Sequence, residues 1–480
     1  MLLNRQREVA FLDQRYARPG AEFVVLYGRR RVGKTTLMYA WCQGKPALYF
    51  FAARLPSQAS LHEFSQQVAH ALGQPERTFT DWSSAFVALA DLARQQRFIV
   101  VIDEYPYLAE MVPGLSTMLQ RAWDTVLQQT QLFLCVTGST HSVIRREILD
   151  GQAPLYRRHT WVYELLPLQP ADYQHFFPTY NAEQIIETYA VLGGMPRNLV
   201  TVDRHVSLQR NIAQEILAPA GSLFNEVPLL LHEELKGEVD VFSQVLAAIA
   251  AGAHTRQAIA AATQGTLAAT QHYLYDLQAI GVVEHRLPLT RLQEHRRQGT
   301  YHISDPFLRF WHRWVAPHRR LLEINQRQTE TLTEIRTQFP FIVAPVWETL
   351  ARQHVLLASG TGHLPFAVQD IGSWWIRQAQ VDVVGVNRHT RQVIFGEARW
   401  RTTTITTRDL EALIEKGLLW LQGDTARWEV HYAFFAKAVG HVEIEDADAE
   451  MVHVFTPEDI TTLGAQEQAR WREGLRGERG

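Results

Sequence analysis

Residues 22–36 read EFVVLYGRRRVGKTT. A short run rich in β-branched and aromatic residues stops at Gly28, and after Lys34 the pattern TTLMYAW takes helical spacing, so the stretch predicts strand, loop and helix in that order. Gly28, Gly33, Lys34 and Thr35 stand at the spacing G-x-x-x-x-G-K-[ST], in the strand-to-helix context that gives this motif its meaning. The two glycines permit backbone angles and a close approach that side chains would forbid, so consecutive N–H groups turn inward on an anion. The following helix adds its positive end. From this loop we expect Gly28, Arg29, Arg30, Arg31, Val32, Gly33, Lys34, Thr35 and Thr36 to cradle the phosphates of a nucleoside triphosphate. Lys34 would reach the β- and γ-phosphates, and the Thr35 hydroxyl would ligate Mg2+. Arg29, Arg30 and Arg31 could equally form a solvated loop tip.

Outward from the loop, FIVVIDEY at 98–105 is an apolar strand ending in Asp103 and Glu104. Asp103 is expected to hold the metal through water, and Glu104 to polarise the attacking water. Between the two motifs ALYFFAAR at 47–54 reads as a further strand, pointing to the NTPase branch with an additional central strand and a built-in catalytic glutamate. LFLCVTGS at 132–139 brings Ser139, with Thr140 after it, to a strand end where a hydroxyl could sense the γ-phosphate. Arg157 and Arg158, in PLYRRHTWVYELLPL at 154–168, stand either as an arginine finger for a neighbouring subunit of a homo-oligomer or as a surface charge pair.

Composition bounds the rest. With 46% hydrophobic and 20% charged residues over 480 positions, the chain is expected to be globular and multidomain. A net charge of -3 supplies no global field for nucleic acid, so a DNA-binding surface would have to be local. Cys42 and Cys135, far apart in apolar segments, argue against a disulfide framework or a thiolate zinc site. No signal-peptide pattern and no apolar run of membrane-span length is present, so the expectation is a soluble, cytoplasmic protein with no membrane partner. Lysine occurs only at 34, 45, 236, 416 and 437.

Residues 239–252, 255–263 and 267–281 read as three short helices at helix-turn-helix spacing. VVEHRLPL, RLQEHRRQG and TYHI would follow as a β-wing carrying Arg286, Arg291, Arg296 and Arg297, with Gln271 and His272 of the third helix near a DNA groove. A winged helix that only packs against other domains fits the same pattern. From 339 to 437 the order is helix, three strands, helix, strand, the core of a restriction-endonuclease-like fold. Asp382, Glu397 and Arg399 form D...E-x-R, with Glu397 and Arg399 on one strand face, as catalytic candidates, and Asp382 and Glu397 as metal ligands. Glu348 on the preceding helix is a further candidate ligand. Arg399 stands where the nuclease motif has lysine, and arginine cannot titrate near neutral pH. Gln380 stands where many relatives have Glu. Lys416 on the next helix could approach the site instead.

Taken together, NRQREVAFL at the start, GRRRVGKTTL, IDEY, PLYRR...ELLPL, GGMPRNL at 193–199 and YHISDPFLRFWHRWV at 301–315 resemble the archaeal-type, AAA+/STAND-like ATPases that carry a C-terminal domain of unknown function. The resemblance spans nearly the whole chain. It implies ATP, an adenine contact at Asn4, Arg5 and Glu8, and a helical lid at Gly194 and Pro196. The expected architecture is a P-loop ATPase core with a central parallel sheet over 1–168, a helical lid over 169–236 and a winged helix over 237–304. A helical connector over 305–345, a restriction-endonuclease-like α/β domain over 346–440 and a tail over 441–480 complete it. Two functions stay open: an ATPase coupling nucleotide state to DNA binding or Mg-dependent DNA cleavage, and a nucleotide-controlled signalling or defence switch whose degenerate nuclease-like domain binds a partner.

Overall fold

The computed structural model describes residues 4–74, 77–139, 141–235, 238–290, 299–444 and 451–466, and the chain divides into two compact units. The first contains the described residues up to Pro167 together with Met195–Arg197. The second contains Leu168–Gly194 and the described residues from Asn198 onward.

The first unit is built on strands β1 (Glu22–Tyr27), β2 (Ala47–Phe51), β3 (Phe98–Asp103), β4 (Leu132–Gly138) and β5 (Trp161–Glu164), in the spatial order β2-β3-β4-β1-β5 and parallel at every pairing. β3 and β4 are buried at every position, as continuous apolar runs demand of central parallel strands with both faces covered. One face packs Phe23, Val25, Val100 and Val136 under helices Ser57–Ala71, Trp82–Ala93 and Leu115–Thr125. The other packs Val24, Leu26, Val101 and Cys135 with Leu12 of helix Gln6–Tyr16 and Leu37 of helix Lys34–Cys42. The additional strand between β1 and β3 is β4, while the 47–51 strand, inserted between the motifs in sequence, lies at the sheet edge. Chain order does not fix spatial order in a parallel sheet, because every crossover passes over a face.

The second unit carries a mixed sheet from β8 (Asp370–Trp375), β9 (Gln380–Asn387), β10 (Gln392–Thr406), β11 (Glu429–Glu443) and β12 (Val452–Phe455), ordered β12-β11-β10-β9-β8. β9 runs antiparallel to its neighbours β8 and β10, and β10, β11 and β12 run parallel. Helix Phe339–Gly360 covers one face through Val343, Trp347 and Val355, and helix Thr407–Leu421 covers the other through Leu410, Leu413 and Trp420. β10 continues to Thr406, so Glu397 lies inside the strand. Part of the stretch 441–480 expected as a tail is integral to the sheet: β12 pairs with β11 and Phe455 stacks on Phe435.

Helices Val239–Ala250, Arg256–Ala262 and Leu267–Ala279 precede an antiparallel pair, β6 (Val283–Arg286) and β7 (Thr300–Ile303). Thr255 and Thr266 cap the second and third helices with their side chains, which explains the short turns. Arg291, Arg296 and Arg297 lie outside the described residues. Beyond β6 the chain docks on the large sheet: Leu289 N donates to Ser373 O at 2.8 Å, and Trp420 Nε1 donates to Leu289 O at 2.7 Å. Helix Ala182–Leu192 shares the core of helix Phe339–Gly360 through Ile186 and Ala190, and Lys437 pairs with Glu183 at 2.6 Å. The segments expected as lid, winged helix, connector and C-terminal domain are therefore parts of one compact unit.

Candidate nucleotide site and carboxylate cluster

Gly28 ends β1 with φ 150, and a Cβ there would lie 2.4 Å from Leu165 O, so only glycine allows the loop to start against β5. Gly33 caps helix Lys34–Cys42 in the left-handed region, φ 101. The buried Lys34 donates to Gly28 O at 2.8 Å and Arg29 O at 3.0 Å, folding its ammonium back over the loop it is expected to serve. Thr35 and Thr36 are exposed at the helix start, Val32 is buried, and Arg29, Arg30 and Arg31 are half-buried, Arg31 with φ 65. Arg30 lies over the ring of Tyr107, which Arg54 also covers, so this arginine is held to the body of the unit.

Asp103, fully buried at the end of β3, has both carboxylate oxygens occupied. One accepts from the Thr137 hydroxyl and from Glu104 N at 3.1 Å, and the other from the Tyr49 hydroxyl at 2.6 Å. Burial, and then the Asp103 charge, push the Tyr49 phenol far up, so it stays a donor. Glu104 sits in the left-handed region, φ 55, at the junction of β3 and helix Tyr105–Met111; for a non-glycine residue this conformation costs about 1–2 kcal/mol. Its carboxylate accepts from Ser139 Oγ at 3.0 Å and Ser139 N at 3.3 Å. The residue expected to sense the γ-phosphate thus holds the residue expected to polarise water. Thr140 lies outside the described residues. Tyr49 and Thr137 were missed from the sequence, because nothing in a strand pattern shows which side chain faces a carboxylate on the neighbouring strand.

The adenine expectation for Asn4, Arg5 and Glu8 meets a buried network. Arg5 donates to Glu8 at 3.1 Å, to Val32 O at 2.9 Å and to Leu166 O at 3.0 Å, bracing the loop against the strand-5 exit. Pro196 approaches the loop too: its Cγ would be 3.9 Å from a Cβ on Gly33. Arg158 pairs with Asp124 at 3.1 Å, the geometry of a surface charge pair, whereas Arg157 is exposed with φ 60.

In the second unit, Glu397 and Arg399 do share a face of β10. Arg399 Nε and Nη2 both donate to Glu397 Oε1, at 2.9 and 2.8 Å, and Nη1 donates to Asp409 at 2.7 Å. Asp409 also closes the capping box with Thr406 at the start of helix Thr407–Leu421. Burial opposes the Arg399 charge, but the bonds to Asp409 and Glu397 outweigh it and hold its pKa above the ordinary value. Glu397 Oε2 is buried with no hydrogen-bond partner among the described residues, and Lys416 Nζ stands 3.5 Å from it. Asp382 accepts from Ala398 N and Gln380 Nε2, each at 3.0 Å; burial pushes its pKa up. Glu348 is pushed up to about 7, by burial and then by Asp382. Among the described residues no group of three or more His, Cys, Asp or Glu is arranged to hold a metal, so an ion at Asp382 and Glu397 would need oxygens from water or substrate. No described helix is long and apolar enough to cross a membrane.

Residues 2–202 match the family described as an ATPase domain predominantly from Archaea, and residues 311–412 match one described as archaeal and bacterial proteins of unknown function. With the loop and the strand-end acid pair, this defines the class as a P-loop ATPase. The chain thus carries a segment similar to the archaeal-type ATPase domain over 2–202 and a segment similar to a domain of unknown function over 311–412. An uncharacterized protein of Methanocaldococcus jannaschii is 27% identical over 401 residues, covering 84% of this chain and 88% of that one. An uncharacterized ATP-binding protein of the same organism is 42% identical over 45 residues, covering 9% of this chain and 76% of that one. Among solved structures, the Walker-type ATPase of Pyrococcus abyssi is 20% identical, with a TM-score of 0.46, over 64% of this chain and 95% of that one.

Proposed function

We propose that this ATPase couples its nucleotide state to the engagement and Mg-dependent cleavage of DNA by the second unit, in which helices 239–279 with β6 and β7 form a winged helix and β8–β12 a restriction-endonuclease-like domain. The observation that carries the reading is the meeting of Asp382, Glu397 and Lys416, two carboxylates with a lysine 3.5 Å from the orphaned Glu397 oxygen. That is the charge set phosphodiester hydrolysis needs, with the lysine arriving from the helix in place of Arg399. Arg399, bonded to Glu397 and Asp409 through all three of its nitrogens, braces the carboxylate and the helix start.

In the first unit, the loop N–H groups and Lys34 bind the phosphates of ATP, and Thr35 with Asp103 would hold Mg2+. The ion supplies charge neutralisation at the phosphates when bound. Glu104 orients water once Ser139 releases it toward the γ-phosphate. A route for coupling is covalent: Met195–Arg197 belongs to the ATPase unit while the chain on both sides of it belongs to the other.

The test is incubation of the full chain with labelled duplex and single-stranded DNA and Mg2+ or Mn2+, with and without ATP, against Asp382→Ala, Glu397→Ala and Lys34→Ala. Cleavage lost in the first two, and ATP-independent or absent in the third, supports the reading. Absence of cleavage in every metal, with slow hydrolysis and no DNA retention, favours the second reading: a nucleotide-controlled signalling switch. The closed Arg399–Glu397–Asp409 network favours that reading, since it fills the place of a phosphate-facing lysine.

A further inference from the structure

A cavity of about 430 Å³ opens within the second unit, where β6, β7 and helix Pro306–Trp314 meet helix Phe339–Gly360. Its wall includes Arg286, His302, Arg309, Arg313, Phe341 and Glu348. Arg286 comes from β6 and both Arg309 and Arg313 from helix Pro306–Trp314, and Arg286 lowers the basicity of Arg309 and of Arg352 on helix Phe339–Gly360, so these three guanidinium groups lie within electrostatic reach of one another. Their pairing inside the protein is incomplete. Arg286 is held by Glu284, and Arg352 donates to Asp382 O and to Thr349. Among the described residues Arg309 makes one hydrogen bond, to Ile342 O at 3.3 Å, which leaves most of a fork of five donors uncommitted. Burial first, and Arg286 next, push Arg309 down to about 10, and it remains a cation at any physiological pH.

Glu348 in the wall and Asp305 beside it offset part of the Arg309 charge, and Glu348 part of that of Arg352, but the lining still holds three arginines to one carboxylate, and crowding like charges away from water is costly unless a further anion joins them. Arginine forks match phosphate oxygens in geometry as well as charge. The rest of the wall mixes apolar side chains, including Ile249, Ile303 and Ile342, with the polar His254, Gln338 and Gln380, and Phe341, also in the lining, is 77% exposed, a large aromatic face with no burial to justify it. The volume is at the small end of ligand sites and far exceeds one phosphate. A ligand with an anionic end and a flat ring satisfies both halves.

We propose that this cavity is a nucleotide-phosphate site, separate from the P-loop, in which Arg286 and Arg309 hold a terminal phosphate monoester and Phe341 stacks the attached base. The site stands whether or not Asp382 and Glu397 cleave anything. A free mononucleotide and the 5′-phosphorylated end of a DNA strand share this chemistry.

The test uses the full chain carrying Lys34→Ala, which silences the P-loop, in equilibrium dialysis with dTMP, thymidine, the 5′-phosphorylated dinucleotide of thymidine and the same dinucleotide without its phosphate. The expected result is binding of at least one phosphorylated probe at least tenfold tighter than its unphosphorylated partner. Arg286→Gln should weaken that binding about tenfold, and Phe341→Ala, at an exposed position, several-fold with an unchanged melting temperature. Arg388→Gln, in a pair with Asp370 away from the cavity, should leave it alone. Binding of dTMP identifies a free nucleotide as the ligand, and binding confined to the phosphorylated dinucleotide identifies a strand end. Equal retention of phosphorylated and unphosphorylated probes, or undiminished binding in both Arg286→Gln and Phe341→Ala, overturns the proposal. Lost DNA cleavage in Asp382→Ala with intact dTMP binding separates this site from the cleavage reading.

Discussion

At Asp103, two neighbouring strands complete what the strand end begins: Tyr49 from β2 and Thr137 from β4 satisfy the carboxylate and fix its orientation. Removing one donor to a buried charged acceptor costs about 1.5–3 kcal/mol. Tyr49→Phe is therefore expected to lower kcat roughly tenfold, while nucleotide affinity, which we propose rests on the loop and Lys34, stays within a factor of two; parallel titration and steady-state assays check this split. Glu104 is held by Ser139 in a strained backbone conformation. Glu104→Gln keeps both the hydrogen-bonding shape and the bound nucleotide but removes the base, so hydrolysis should fall by about 10²-fold or more. A Glu104→Gln protein that hydrolyses ATP at the normal rate would remove Glu104 from the mechanism.

Among the elements, helix Pro306–Trp314 buries His312 completely, with neither ring nitrogen hydrogen-bonded among the described residues, and burial pushes its pKa down to about 3. Above its ordinary value of 6.5 the ring is neutral folded and unfolded alike, and stability is complete. As the pH falls below that value the unfolded chain takes up a proton that the folded chain refuses, so stability is lost progressively toward pH 3. At pH 5 this amounts to about 2 kcal/mol. In His312→Leu, the drop in urea-unfolding free energy between pH 7.5 and pH 5 should shrink by about that amount; an identical drop in both proteins would mean that His312 is charged when folded. The same helix illustrates how well elements could be read. The stretch was expected to be part of a helical connector, and it forms a helix in which Trp311 and Trp314 are buried. β12 was not legible, because Val452–Phe455 is only four residues long within a largely polar terminal stretch, too short a run to separate from chance before its pairing with β11 is seen.

For the whole molecule, the nuclease reading turns on which cation serves the carboxylates. Lys416→Ala should reduce any DNA cleavage by about 10²-fold or more while leaving the melting temperature nearly unchanged, since the lysine is half exposed and makes one ion pair at 3.5 Å. Arg399→Lys should do the opposite. Losing the fork that ties β10 to the start of helix Thr407–Leu421 should lower the melting temperature by a few degrees, and cleavage measured below that temperature should persist. Full cleavage in Lys416→Ala with none in Arg399→Lys would return the cationic role to Arg399.

The sequence by itself determined the nucleotide-binding loop, the acid pair, the strand stretches of the first sheet and the shared face of Glu397 and Arg399. These are local: glycine stereochemistry, the arrest of an apolar run and the period of two along a strand act within a few residues. Only the tertiary structure decided that β4 and not β2 is the inserted central strand, that Tyr49 and Thr137 serve Asp103, that Lys416 and not Arg399 faces the free Glu397 oxygen, and that arginines from separate elements share one cavity. Each of these depends on which elements lie side by side. That is fixed by burying apolar faces over the whole chain, and no spacing along the sequence encodes it.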